Sequence, residues 1–271
     1  MYWELPRNKV RLGSLCYLAI LNLTPDSFSD GGLFLDTDSA LNHVGGLLAQ
    51  GAQIIDIGAE STKPGSHPVE HKEEWARIAP IMSGIQKEHP DCLLSIDTRH
   101  TETARLALSL GADIINDVTG FQDPEMLELI SNSNCGLIAM RIRMINGHIW
   151  MPDYSDPSPK DADSAIQELK IVRDRLFNAG IEPERILLDP GFGFGTTFLE
   201  DQALWGALPE IPALLNWPVE RFCIGISRKR FVARSFEVGE NILLDVKTAE
   251  LNKNAVNIGY RVLRTHSIPR C

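Results

Sequence analysis

The stretch CLLSIDTRHTETARLALSLGADIINDVTG, residues 92–120, holds one whole structural unit. It opens with the apolar run Cys92–Ile96, which stops at Asp97, and closes with a second run, Asp113–Ile115, which stops at Asn116. Both runs are too short for a helix and rich in Leu and Ile, as buried parallel strands are. Between them is room for one helix, ended by Gly111 just ahead of the second strand. A strand, a helix and a parallel strand make a βαβ unit.

The unit recurs along the chain. Further apolar runs are Tyr17–Leu21, Gln53–Ile55, Gly136–Met140, Arg185–Leu188, Phe222–Ile226 and Tyr260–Leu263, making eight in all. Their spacing averages about 35 residues, the length of a strand plus a helix. Helical faces lie between them. Leu41, Val44, Leu47 and Leu48 share a face after the capping candidates Asp36 and Asp38, and Ala165, Leu169, Val172 and Leu176 repeat at helical spacing. Gly51, Gly180 and Gly259 stand where Gly111 does, just before a strand. Eight such units predict an α/β fold, a closed (β/α)8 TIM barrel, with residues 1–271 forming one domain. An open doubly wound sheet is the structural alternative. The segment Met1–Gly13 reads as an N-terminal hairpin that plugs the bottom of the barrel.

What ends each run carries the functional information. In chain order the runs stop at Asn22, Asp56, Asp97, Asn116, Arg141, Asp189, Ser227 (with Lys229 two residues on) and Arg264. Any one of these could be a solvated loop residue or a helix cap. A polar group at every strand end, on a fold whose active site lies at that face, predicts a polar bowl of carboxylates, amides and cations.

Composition narrows the partners. A net charge of −10, with no basic run longer than Arg228–Arg230, speaks against a nucleic-acid partner. No apolar run reaches membrane-spanning length, and the N-terminus lacks a signal-peptide pattern, so no membrane partner is expected. The five cysteines show no metal spacing, and Cys16, Cys135 and Cys223 sit in apolar stretches, as reduced thiols of a cytoplasmic protein would. The expected partners are small-molecule substrates.

Seven segments are familiar in kind and order. Residues 20–32, ILNLTPDSFSDGG, and 56–65, DIGAESTKPG, resemble the two loop signatures of the dihydropteroate synthase family. Ser95-Ile-Asp-Thr98, Ile115-Asn-Asp-Val118, the segment 188–195 (LDPGFGFG), Gly225-Ile-Ser-Arg-Lys229 and Arg264-Thr-His266 follow in the family's order. The resemblance covers nearly the whole chain. It implies a transferase that condenses a dihydropterin pyrophosphate with 4-aminobenzoate in folate biosynthesis. It also implies Mg2+ as cofactor, held by Asn22, and a homodimer.

The resemblance implies roles for single residues. Asp97, Asn116, Asp189 and Lys229 would form the pterin pocket, with Val118 and Met140 as apolar cover. Asn22, Asp56, Thr62, Arg264 and His266 would serve the pyrophosphate. Phe28, Thr62, Lys63, Pro64, Phe194 and Ser227 would hold the aminobenzoate. The catalytic set would be Asn22, Asp97, Lys229, Arg264 and His266. The residues read the same way on their own chemistry. A pterin presents a ring N–H beside an amino group, and a carboxylate such as Asp189 can accept both in parallel. Arg264 offers a bidentate fork to phosphate oxygens. The Gly-rich run 191–195 lacks the residues of a P-loop, and its two phenylalanines read better as walls of the site. Loops at 24–36 and 61–70 would close over the bowl.

Three departures from the family pattern stand out. Lys63 occupies the place of the family's loop arginine, and the fifth strand ends Met140-Arg141-Ile-Arg143 instead of in a Met-His pair. Arg141 and Arg143 are expected at the rim, where they could supply the fork that Lys63 lacks. The chain also stops at Cys271, where the family has one more helix, so a shortened C-terminus should expose the outer wall at the eighth strand. Two alternatives stay open: a degenerate pterin-binding homologue without synthase activity, and a pterin-dependent methyltransferase domain.

Overall fold

The computed structural model of the protein describes residues 1–24, 37–60, 68–145, 148–150, 152–158 and 161–269. Two antiparallel strands open the chain, β1 (Tyr2–Glu4) and β2 (Lys9–Arg11). Strands and helices then alternate: β3 (Cys16–Asn22), α1 (Thr37–Ala49), β4 (Ile54–Gly58), α2 (His71–Glu88), β5 (Leu93–Asp97), α3 (Thr101–Ser109), β6 (Ile114–Asp117), α4 (Pro124–Ser131) and β7 (Gly136–Met140). A small hairpin, β8 (Met144–Ile145) with β9 (His148–Ile149), precedes α5 (Asp163–Asn178). The rest is β10 (Ile186–Asp189), α6 (Phe198–Gly206), α7 (Ile211–Leu214), β11 (Cys223–Ile224), α8 (Arg230–Phe236), α9 (Asn241–Ile258) and β12 (Val262–Thr265).

Eight of these strands form one parallel sheet in the order β10-β7-β6-β5-β4-β3-β12-β11. An isolated parallel bridge between Leu188 and Phe222 joins its two ends and closes the barrel. The expected (β/α)8 architecture is therefore present, although several boundaries move. The fourth strand runs through Asp56 to Gly58, so Asp56 lies inside it and not at its end. A buried acid within a strand reads in sequence as a stop. The seventh barrel strand pairs with β12 over Cys223 and Ile224 only, because the chain leaves the sheet at Gly225 to turn toward the rim.

The period of two decides which residues see the barrel interior. Leu18, Ile54, Leu93, Ile114, Ile138 and Leu187 form the lower inner layer with Cys223 and Val262. Their neighbours in sequence, such as Ile55, Leu94, Ile115 and Leu188, point outward into a second core shared with the helices. Each strand is thus apolar on both sides, which is why it reads as a continuous run.

The hairpin caps the lower layer as expected. Trp3, Leu5 and Leu12 are buried in it, and Trp3 Nε1 donates to Arg185 O at 2.8 Å. Arg7 pins the hairpin from outside, with Nε and Nη2 on the two oxygens of buried Asp113 at 2.8 and 2.6 Å. Gly136 opens β7 because a Cβ there would overlap Leu5 and crowd Trp3. At the other end of the chain the expectation of a bare wall fails. Ala19 and Leu21 of β3 and Leu263 of β12 are buried on their outer faces, and Ile268 beyond the last strand joins the same core.

Candidate active site

Two or four residues above each member of the lower inner layer stands a residue of the site. Leu18 leads to Ile20 and Asn22, Ile54 to Asp56, Leu93 to Ser95 and Asp97, and Ile114 to Asn116 and Val118. Ile138 leads to Met140 and Ile142, Leu187 to Asp189, Cys223 to Gly225 and Ser227, and Val262 to Arg264 and His266. The alternation of a strand turns an apolar floor into a polar bowl within one step of the pleat.

Arg264 is the hub of the bowl. Its Nε donates to Asp56 Oδ2 at 2.6 Å, and its Nη2 donates to Asp97 Oδ2. Asp56 Oδ2 also accepts from Asn116 Nδ2 at 3.1 Å. Strand register makes this possible, since Asp56 pairs with Ser95 and Asp97 with Asn116. Arg264 thus has two donors committed to carboxylates and is not the free fork expected from sequence. Burial pushes the Asp97 carboxyl up to about 7, Arg264 opposing and Asp56 adding to the rise. Among the described residues, Asp56 Oδ1 and Ser95 Oγ are buried without a partner. An uncompensated buried polar atom is costly, and the two mark where a bound molecule or water has donors and acceptors to find.

Across the bowl, Asp189 is 4% exposed and accepts the amide of Gly191 on Oδ1 at 2.7 Å. Burial raises its carboxyl, against the opposing charge of Lys229. Lys229 sits one residue before α8, and its ammonium lies 4.5 Å from the centre of the Phe194 ring. Burial lowers the Lys229 ammonium to about 8, with Asp189 pulling the other way. Phe194 packs with Val118, Met140 and Ile142 in a small apolar wall of the site.

The third corner holds Asn22, His266 and Ser227. The backbone N–H of His266 donates to Ser227 Oγ at 3.1 Å, and its Nδ1 lies 3.0 Å from the same oxygen. Nε2 lies 3.4 Å from Asn22 Nδ2. Burial, with Arg228 and Arg264 nearby, lowers His266 to about 3, so the ring is neutral. A neutral ring with Nδ1–H on Ser227 accepts from the Asn22 amide at Nε2. That leaves the Asn22 carbonyl oxygen turned away from His266. His266 is a hydrogen-bonding group here, not a second cation.

The fate of the Gly-rich run is split. Phe192 is fully buried and stacks in the outer core, its ring centre 5.6 Å from those of Phe231 and Trp205. Only Phe194 faces the site, so one of the two expected walls is core. The positive-φ turns at Gly191 and Gly193 break the strand pleat here, so the two rings go to different sides. Asp201 holds the run from outside, accepting Gly193 N–H and Thr196 Oγ1–H on Oδ1 and Tyr154 O–H on Oδ2.

Arg141 and Arg143 do not reach the rim. Arg141 is fully buried beneath the run 190–191, and Arg143 is paired with Glu168 at 2.6 Å and Glu200 at 3.1 Å. Arg141 has all three nitrogens bonded inside the protein, and Arg143 has Nε on Glu168 and Nη1 on Glu200 with Nη2 buried, so neither offers a fork to a ligand. Phe28, Thr62, Lys63 and Pro64 lie outside the described residues. Reading strand ends alone misses Ser95 and Ile142 as site residues. Both share strand parity with a chosen one, Asp97 and Met140, and that parity is the signal that finds them.

Comparison with known proteins agrees in one direction. The sequence matches the pterin binding enzyme family over residues 18–266. The dihydropteroate synthase of Streptococcus pyogenes serotype M6 is 37% identical over 263 residues, covering 94% of this chain and 91% of that protein. The structure of the Xanthomonas albilineans dihydropteroate synthase with 4-aminobenzoic acid superposes with a TM-score of 0.86 at 29% identity, covering 99% of this chain and 94% of the other. The Thermus thermophilus dihydropteroate synthase in complex with 6HMPPP gives 0.80 at 30% identity, with the same coverage of 99% and 94%.

Proposed function

The chain belongs to the dihydropteroate synthase family of pterin-binding enzymes, and from that membership we propose the reaction it performs. It condenses 6-hydroxymethyl-7,8-dihydropterin pyrophosphate with 4-aminobenzoate, giving 7,8-dihydropteroate and pyrophosphate, in folate biosynthesis. The observation that carries this reading is the inward ring of Asp56, Asp97, Asn116 and Asp189 beside Lys229, over an apolar wall. Three carboxylates against two cations suit a flat ring rich in N–H donors. Asp189 accepts the ring N–H and its neighbouring amino group. Asp97 and Asn116 meet the far edge of the ring, Lys229 donates to a ring oxygen or nitrogen, and Val118 and Met140 cover a face.

The reaction is a displacement at the exocyclic methylene. The C–O bond to pyrophosphate breaks, and its electron pair leaves with the pyrophosphate. The aromatic amine's lone pair forms the new C–N bond, and the nitrogen then loses a proton to solvent. Positive charge that builds on the pterin side is stabilised by the surrounding carboxylates. Arg264 and neutral His266 receive the pyrophosphate, with Thr62, and Asp56 acts by aiming Arg264. Phe194, Ser227, Phe28, Thr62, Lys63 and Pro64 hold the aminobenzoate. No side chain serves as nucleophile.

Mg2+ fits one corner of this site. It takes oxygen donors, needs one or two from protein, and keeps waters and phosphate oxygens for the rest. Asn22, with its amide nitrogen on His266, has a carbonyl oxygen to offer. Asn22 would hold the ion, which when bound shields the charge of the pyrophosphate.

The homodimer is proposed on the exposed apolar edge of α9, where Ile242 is 77% and Val246 57% exposed one turn apart. A cytoplasmic setting is supported by the buried free thiols of Cys16, Cys92, Cys135 and Cys223. No helix among the described residues is long and apolar enough to cross a membrane.

The test is a turnover assay with the pterin pyrophosphate, 4-aminobenzoate and Mg2+. Dihydropteroate formed in step with pyrophosphate is the expected result. Tight pterin binding with no product would leave a binding protein, and methyl transfer from a reduced pterin would point to a methyltransferase.

A further inference from the structure

The proposed pterin clamp rests on a backbone turn, and that turn rests on one buried side chain. Arg141 has no exposed surface, an expensive place for a guanidinium unless its donors are spent. They are spent on the segment that follows Asp189. Nε donates to Pro190 O at 2.7 Å, Nη2 to Gly191 O at 2.9 Å, and Nη1 to Glu168 Oε2 at 2.9 Å. The Arg141 backbone N–H also donates to Asp189 O at 3.2 Å.

Of the two carbonyls that the fork holds, the first, Pro190 O, shares its peptide plane with the Gly191 N–H, and the second, Gly191 O, belongs to the next peptide. That N–H is the one bound to Asp189 Oδ1 at 2.7 Å. Gly191 O further accepts the Phe194 N–H at 3.2 Å. Gly191 has a φ of +69°, and a Cβ there would overlap the Arg141 carbonyl oxygen. The turn is therefore pressed against Arg141 by its backbone and tied to it by its side chain. Fixing the Pro190 carbonyl fixes the plane of its own peptide, and so the direction of the Gly191 N–H that orients the Asp189 carboxylate; fixing the Gly191 carbonyl holds the next plane of the turn. Phe194, whose N–H is on Gly191 O, has its ring under Lys229.

We propose that Arg141 is a positioning residue for pterin binding, acting through the turn 190–191 on the Asp189 carboxylate. This rests on the reading of Asp189 as the pterin clamp. Lysine cannot replace the fork, because one ammonium cannot reach two carbonyls and Glu168 in a plane. Arg141 touches no substrate in this scheme, and its influence is carried by geometry alone.

The experiment compares Arg141→Lys, Asp189→Asn and the double variant, below their melting temperatures. Calorimetry with the pterin pyrophosphate reads affinity, and hydrogen exchange of the Gly191 amide in the free protein reads the turn. Arg141→Lys should bind the pterin about tenfold more weakly. In the Asp189→Asn background the same change should cost almost nothing further, since the route through Asp189 is already cut. Exchange at Gly191 should quicken about tenfold. If the two substitutions act independently on affinity, or if Gly191 exchange is unchanged, the proposal is overturned. The exchange measurement needs no ligand. Failure of the wild type to bind pterin would therefore count against the pterin reading and leave the turn to be judged by itself. Should Arg141→Lys not fold, Glu168→Gln on the partly exposed side of the clamp should weaken binding two- to threefold and quicken the same amide. No change in either would overturn the proposal as well.

Discussion

Arg264 and Asp97 are joined through Nη2 and Oδ2 across adjacent sides of the barrel mouth, and the same guanidinium reaches Asp56 through Nε at 2.6 Å. The cation sits between two acids, yet burial still holds the Asp97 carboxyl up at about 7. Pterin binding that uses the carboxylate should therefore strengthen as pH rises through about 7. Asp97→Asn should weaken binding by about 1.5–3 kcal/mol, the value of a hydrogen bond to a charged group, and should flatten that rise. Stability runs the other way. In the unfolded chain Asp97 ionises near 3.9, so between about 4 and 7 the folded state holds the extra proton. Its contribution is complete below about 4 and lost as pH climbs through about 7. Urea melts of wild type and Asp97→Asn across pH 4–8 check the sign, and a wild-type slope no steeper than the variant's would refute it.

Lys229 sets the alkaline limit of the same binding. Its ammonium is lowered to about 8 by burial, so its charge is lost above that pH while an ordinary lysine keeps its own. Pterin affinity should decline above about pH 8. Lys229→Ala should lose the decline and about 2–4 kcal/mol of binding, since it removes the cation facing Asp189. A depressed lysine also makes the unfolded chain bind more protons between about 8 and 10.4, so its contribution to stability grows with pH there. Calorimetry at pH 7, 8 and 9 tests the binding limb. An alkaline decline that persists in Lys229→Ala would assign it to another group.

How much of this could be read in advance depends on what a side chain's position advertises. Leu93, Ser95 and Asp97 share one face of a strand, so the sequence places an apolar floor below a polar rim once the strand is recognised. Asp56 was legible as a site residue but not as a mid-strand one, because an acid inside a β run looks like its end. The destination of Arg141 was not legible at all. It follows a strand, as Asp97 nearly does, and only the turn at 190–191 in three dimensions supplies the carbonyls that draw it inward. Phe192 and Phe194 look alike in sequence, and the positive-φ turn at Gly193 between them separates the one that becomes core from the one that faces the site.

The hairpin should govern stability without touching chemistry. Trp3 is fully buried at the barrel bottom and donates to Arg185 O at 2.8 Å, at the opposite end of the strands from Asp97 and Asp189. Trp3→Ala leaves a cavity and an unpaired carbonyl, and should cost about 3–5 kcal/mol. At temperatures where the variant is still folded, its KM values should match the wild type. A large rise in KM for either substrate there would mean that the plug shapes the site.

His266 should behave as a neutral partner of Asn22. Lowered to about 3, it cannot gain a proton in the working range, so no activity limb between pH 5 and 8 should trace to it. His266→Gln keeps a hydrogen-bonding group near Asn22 and should retain most activity. Asn22→Ala removes the proposed Mg2+ oxygen, and should raise the Mg2+ concentration needed for half-maximal rate about tenfold or more. Mg2+ titrations of both variants separate the two roles, and an unchanged Mg2+ requirement in Asn22→Ala would move the ion elsewhere.

The last prediction concerns Lys63, which lies outside the described residues, and its supposed exchange with Arg141. An exchange requires both cations to meet the same anion. Arg141 cannot do so, because Pro190 O, Gly191 O and Glu168 take its donors and none of its surface is exposed. Arg143 is likewise bound to Glu168 and Glu200. A Lys63→Arg change would restore a planar fork on its own loop, able to hold two oxygens of the pyrophosphate or of the aminobenzoate carboxylate. It would do nothing for the turn that Arg141 supports. In steady-state kinetics Lys63→Arg and Arg141→Lys should therefore combine additively in log kcat/KM, within about 0.5 kcal/mol, as sites without shared partners do. Lys63→Arg should act mainly on one anionic substrate, while Arg141→Lys should act on the pterin. Rescue of Arg141→Lys by Lys63→Arg would show that the two cations serve one anion after all, and would require Arg141 to leave its buried seat.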